Sequence, residues 1–141
     1  MKLPNDSTLS RYSLEKAKDC IAYYKLRAAK KKIADTDLIK GYLLRTYDLF
    51  AALGIDGADR IEHVHVRVYL GMEPGTDGRT DTDNVYKLFL VPVDIDGKDI
   101  IPVGPIVPGG DDVQFVYDFN TPCPNTCDKT SPLFNAGSAA L

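Results

Sequence analysis

Ile61-Glu62-His63-Val64-His65-Val66-Arg67-Val68-Tyr69-Leu70 is the stretch at which the chain changes period. Val64, Val66, Val68 and Leu70 alternate with His63, His65 and Arg67. A period of two is the pattern of a half-buried β-strand, here with the valines inward and the polar residues outward. The residues before this stretch are expected to be helical and those after it to form strands and turns. Of 11 glycines and 9 prolines, all but Gly41 and Pro4 lie at position 54 or later. Both residue types are costly inside a helix.

Upstream, Leu14, Ala17, Ile21, Tyr24 and Ala28 recur at steps of three and four, which predicts a helix over 14–33. Ser13 is its expected N-cap, and Glu15 sits where the helix dipole favours an anion. A second helix is expected over 37–53, opened by Asp35-Thr36 and stopped at Gly54, with Ile39, Leu43, Phe50 and Leu53 on its apolar side. The short connection between them predicts an antiparallel helical hairpin.

Downstream, the run from Val85 to Ile95 is apolar on both faces, as a central strand would be. Asp96-Gly97 is a turn signal leading into Ile100-Ile101-Pro102-Val103, which Pro102 assigns to an edge. Val113 to Phe119 reads as a further strand. The expected fold class is α+β: an N-terminal helical hairpin (13–54) packed on one face of an antiparallel sheet of about four strands (61–119). A leader segment (1–12) and an extended Pro- and Cys-containing tail (120–141) complete a single domain over 1–141, a length ordinary for one domain.

Three segments carry a resemblance. Arg67-Val68-Tyr69-Leu70-Gly71, Leu90-Val91-Pro92-Val93-Asp94-Ile95-Asp96-Gly97 and Pro122-Cys123-Pro124-Asn125-Thr126-Cys127, followed by Ser131-Pro132-Leu133, resemble a group of small bacterial proteins with no assigned activity. That group has an N-terminal helix, a Val-x-x-Gly strand, a Leu-Val-x-Val-Asp-x-x-Gly hairpin and a Pro-Cys-Pro-x-x-Cys tail. The resemblance implies a shared fold and carries no functional residue across.

Hydrophobic residues at 44% and charged residues at 26% are ordinary for a globular protein and argue against wholesale disorder. A net charge of −3 argues against a dedicated nucleic-acid binder. No apolar run approaches the roughly 20 residues of a membrane-spanning helix. The N-terminus lacks the apolar core of a secretory signal, and Cys20, Cys123 and Cys127 are too few for a disulfide scaffold, so a cytoplasmic protein with reduced thiols is expected.

The most specific chemical constellation is a metal site. His63 and His65 at i and i+2 point to one side of a strand, and Cys123 and Cys127 are close enough to converge from one turn. Two imidazoles and two thiolates would suit tetrahedral zinc, although the spacing is that of no zinc finger. The same thiols with a histidine base would be the minimum for a thiol hydrolase, without a strand–turn–helix signature to support it. Asp94-Ile95-Asp96-Gly97-Lys98-Asp99 places its glycine fourth, where an EF-hand needs it sixth, so a hairpin turn accounts for it. No glycine pattern supports nucleotide binding.

Lys25, Arg27, Lys30, Lys31 and Lys32 form a candidate partner surface, weighed against a solvated helix end that complements its own dipole. Residues 1–54 carry a balance of +5 and residues 55–141 a balance of −8, a charge separation that would orient an encounter or favour self-association. The expected function is that of a small soluble non-enzymatic protein-interaction module, without cofactor, engaging another protein or its own copy. The alternatives are a zinc-binding protein using His63, His65, Cys123 and Cys127, and a small enzyme with a pocket between helices and sheet.

Overall fold

The structure, a computed structural model, describes residues 11–54, 63, 65–74, 85–118 and 130–133. Its longest ladder joins β3 (His65–Glu73) to β4 (Val85–Val93), running from His65 opposite Val93 to Glu73 opposite Val85. β2 (Gly41–Arg45) pairs with the other side of β3. β6 (Asp112–Asp118) lies beside β4, and β1 (Arg11–Ser13) lies beyond β6, giving the order β1-β6-β4-β3-β2. β5 (Val103–Pro105) pairs with the start of β6, off this path. Every pairing is antiparallel. With α1 (Leu14–Lys30) and α2 (Thr46–Leu53) the architecture is the expected α+β, but with six strands among the described residues in place of about four. Among the described residues no helix is long and apolar enough to cross a membrane.

Residues paired across an antiparallel ladder share a face. Tyr69 and Gly71 of β3, Phe89 and Val91 of β4, Val116 of β6 and Tyr12 of β1 therefore lie on one side of the sheet. α1 packs on this side, and Ala17 and Cys20 join Phe89, Val91 and Val116 in one buried cluster. The helix comes close because its contact residues are small and because Gly71 has no side chain. A Cβ at Gly71 would stand 2.8 Å from Phe89 Cε2 and 3.1 Å from Cys20 Cβ. Here the structure corrects the expected facing of β3. α1 covers the odd-numbered side, which was expected to face water, while Val66, Val68 and Met72 on the even side are buried as well. Alternation tells which residues share a face; it does not tell what covers each face.

The caps show why α1 has its length. Ser13 Oγ accepts from Lys16 N at 3.2 Å, as expected of the N-cap. At the other end Ile33 N bonds to Ala28 O and Lys32 N to Ala29 O, with Lys32 in the left-handed region at φ 61°, so the helix closes in a Schellman motif at Lys30 rather than running to 33.

The second helix is half as long as expected. Residues 41–45 of the predicted 37–53 helix are strand β2, and α2 takes only Thr46–Leu53 before the expected stop at Gly54, which has φ 70°. Tyr42-Leu43-Leu44 suits a strand as well as a helix, and the exposed edge of β3 supplied a ladder that propensity alone could not foresee. α2 packs against β2, whereas α1 packs against β3 and β6, so the helical hairpin is replaced by a helix–strand–helix arrangement.

Two further boundaries move. The expected edge strand at 100–103 lies at Val103–Pro105 and pairs with β6, while Pro102 O accepts from Phe115 N at 3.1 Å. Arg11 and Tyr12, expected as the end of a leader, form strand β1 together with Ser13.

Candidate functional site

His65 opens β3 opposite Arg45 and Val93, half-buried on the side that α1 covers. His63 precedes the strand, and its carbonyl accepts from Thr46 Oγ1 at 2.9 Å, which ties it to the start of α2. Cys123 and Cys127 lie outside the described residues. Among the described residues no group of three or more His, Cys, Asp or Glu side chains is placed to hold a metal. Lys25, Arg27 and Lys30 belong to the last turns of α1, and Lys31 and Lys32 follow it. The carbonyls of Arg27, Ala28 and Ala29 accept at this end, so the positive charges surround the negative pole of the helix.

The structure brings together a set of polar residues that the sequence reading missed. Tyr12 of β1, Cys20 of α1, Glu73 of β3, Lys87 of β4 and Asp118 of β6 meet between α1 and the sheet. Tyr12 donates its hydroxyl hydrogen to Glu73 Oε1 at 2.6 Å, and the Cys20 sulfur lies 3.7 Å from the same phenolic oxygen. Lys87 Nζ pairs with Asp118 Oδ2 at 2.7 Å and stands 5.2 Å from the centre of the Tyr12 ring, close enough for a cation–π attraction. Asp118 Oδ1 is buried and has no hydrogen-bond partner.

This environment shifts the titrations in one direction. Burial pushes the Cys20 thiol up, and the Glu73 charge adds to it against the pull of Tyr12 and Lys87. Burial raises Tyr12 too, helped by its bonds to Glu73 and Cys20. For Lys87 burial works against the charge, but the bond and attraction to Asp118 outweigh it and the ammonium is held above its usual range. An open cleft of about 390 Å³ lies over Tyr12, Cys20 and Glu73, with Lys16 and Asp19 at its rim. The signal for this set was present: Glu73, Lys87 and Asp118 are charges inside strand runs. Only the strand register shows that they share a face.

At the other end of the same face, Asp99 accepts from both Arg67 and Tyr69, and Arg67 Nη2 donates to Gly97 O at 3.0 Å. These bonds fasten the turn after β4 onto β3. The turn closes as expected around Asp96-Gly97, with Asp94 Oδ1 accepting from the backbone of Asp96 and Lys98.

The opposite edge of the sheet has a different character. Tyr42, Leu43, Tyr47, Leu49 and Leu53 of β2 and α2 all expose large apolar side chains, as does Ile39 just before β2. Leu43 is 55% and Leu53 69% exposed. β2 is the end strand of the sheet order. Its single charge, Arg45, is bound by Asp48 through two hydrogen bonds of 3.0 and 3.1 Å.

No family model matches this chain, and neither a curated protein nor a solved structure shows significant similarity to it. The candidate site therefore stands on its own residues.

Proposed function

We propose that this protein is a non-enzymatic protein-interaction module whose working surface is formed by β2 and α2. The observation that carries the reading is the density of exposed large apolar residues, Tyr42 and Leu43 on an edge strand and Tyr47, Leu49 and Leu53 on the helix that follows it. Large apolar side chains exposed at this density are characteristic of surfaces that another macromolecule covers. The polar residues beneath α1 support the same reading from the other side. Tyr12 is engaged by Glu73, Lys87 by Asp118, and the Cys20 thiol is pushed away from its nucleophilic thiolate form.

A photo-cross-linking amino acid in place of Leu53 tests the reading in living cells. Leu53 is expected to give protein adducts, whereas the same group in place of Ile95, a fully exposed residue in the turn after β4, is expected to give none. Absence of adducts at Leu53, or equal yields at both positions, would overturn the assignment of the surface.

A further inference from the structure

We infer that the occupant of this surface is a second copy of the chain, joined through antiparallel β2–β2 pairing about a two-fold axis at Leu43. The inference rests on the interaction-module reading and names its partner.

In an antiparallel ladder successive residues direct their backbone N–H and C=O groups to alternate sides. Lys40 O accepts from Leu70 N at 3.0 Å, which places the backbone groups of residues 40, 42 and 44 on the β3 side. The backbone groups of Gly41, Leu43 and Arg45 therefore point away from β3, on the edge where the strand order of the described residues ends. They offer three donors and three acceptors in a row.

An identical strand satisfies all of them in one register. Leu43 must stand opposite Leu43 of the second copy, with Gly41 opposite Arg45 in both directions. A slip of two residues leaves one outward residue of each copy unpaired, and a slip of one sets outward groups against inward ones.

The side chains agree with that register. Tyr42 meets Leu44 of the second copy on one face of the joined sheet, and the two Leu43 side chains meet on the other. Aromatic–aliphatic and aliphatic cross-strand pairs of this kind are favourable. The charges agree too. Arg45 faces a glycine rather than its own counterpart, and its guanidinium is already bound by Asp48, so no like charges are opposed. Edge strands that stay single are commonly kept so by very short length, by charged side chains, lysine above all, or by proline or a bulge. β2 reads Gly-Tyr-Leu-Leu-Arg, without lysine or proline.

Sedimentation velocity over a wide range of protein concentration tests the proposal, with Leu43→Lys and Leu43→Pro beside the wild type. The wild type is expected to dimerise. Leu43→Lys sets two like charges against each other at the axis and should weaken the dimer by roughly tenfold or more. Leu43→Pro removes an outward N–H without touching the β2–β3 ladder and should do the same. Circular dichroism confirms that each variant is folded.

Amide exchange of the wild type gives a readout free of substitutions, since the Gly41, Leu43 and Arg45 amides should slow as concentration rises. A wild type that stays monomeric, a dimer indifferent to both substitutions, or exchange at these amides that ignores concentration would each overturn self-pairing. A monomer whose Leu53 position still captures a different protein ends the self-pairing inference and leaves the interaction module standing; a monomer without adducts ends both.

Discussion

Cys20, Tyr12, Lys87 and Tyr69 share a property that decides how the protein responds to alkali. Each is held in its protonated form by the fold more firmly than in the open chain. For Cys20, Tyr12 and Tyr69 burial is the leading cause, whereas Lys87 overcomes its burial through Asp118. A group whose pKa is raised on folding contributes stability that is complete below its open-chain pKa and is lost as pH rises through the folded value. In the open chain the Cys20 thiol ionises before the other three, because its ordinary value is 9.0 against 10.0 for tyrosine and 10.5 for lysine. The melting temperature is therefore expected to fall once pH rises past about 9. In Cys20→Ala the decline should begin later, in the tyrosine and lysine range. Thermal melts by circular dichroism across this interval check both statements, and an identical onset in the two proteins would remove Cys20 from the account. The same burial implies that iodoacetamide at neutral pH leaves Cys20 intact in the folded protein and modifies it in denaturant, which peptide mass spectrometry reads directly.

At the scale of elements, the contact between α1 and the sheet depends on the missing side chain of Gly71. A methyl group there meets the Phe89 ring and the Cys20 Cβ at distances below ordinary contact, so the helix must lift or the ring must turn. Gly71→Ala should cost about 1–3 kcal/mol, the usual range for overpacking a filled core, measured by chemical denaturation. A stability equal to wild type would mean that α1 rests on the sheet less closely than described. Elements also separate what the sequence disclosed from what it withheld. β3 was legible from the alternation of Val66, Val68 and their neighbours, β4 from its two apolar faces, the start of α1 from Ser13 and the end of α2 from Gly54. β2 was hidden because Tyr42-Leu43-Leu44 fits a helical and an extended period alike, and the choice fell to a neighbour more than twenty residues away in the chain. The cluster of Glu73, Lys87 and Asp118 was hidden for a related reason. Three isolated charges become a network only when pairing aligns Lys87 with Gly71 and Asp118 with Phe89. The open edge of β2 followed from strand order, which no local pattern encodes.

For the whole molecule, the sheet order sets an all-or-none requirement. β6 stands between β1 and β4, receives β5 at its start, and holds Asp118 against Lys87. A chain ended at Gly110 would lack the partner of β1, β4 and β5 together and would leave Lys87 without its carboxylate. Such a fragment is expected to give a disordered far-ultraviolet dichroism spectrum and collapsed amide dispersion in NMR. A fragment with native-like spectra would show that β2, β3, β4 and α1 suffice alone. The position of β1 has a consequence for how the protein is made. Arg11 pairs with Tyr117, so β1 leaves the ribosome well before the strand that completes its ladder. α1 follows directly behind β1, and its apolar face must be shielded in the interval. Non-local closure of this kind slows folding and lengthens the exposure of unpaired strands. During synthesis β2, β3 and β4 emerge in order and pair as neighbours, while β1 is linked to β4 only after β6 is free.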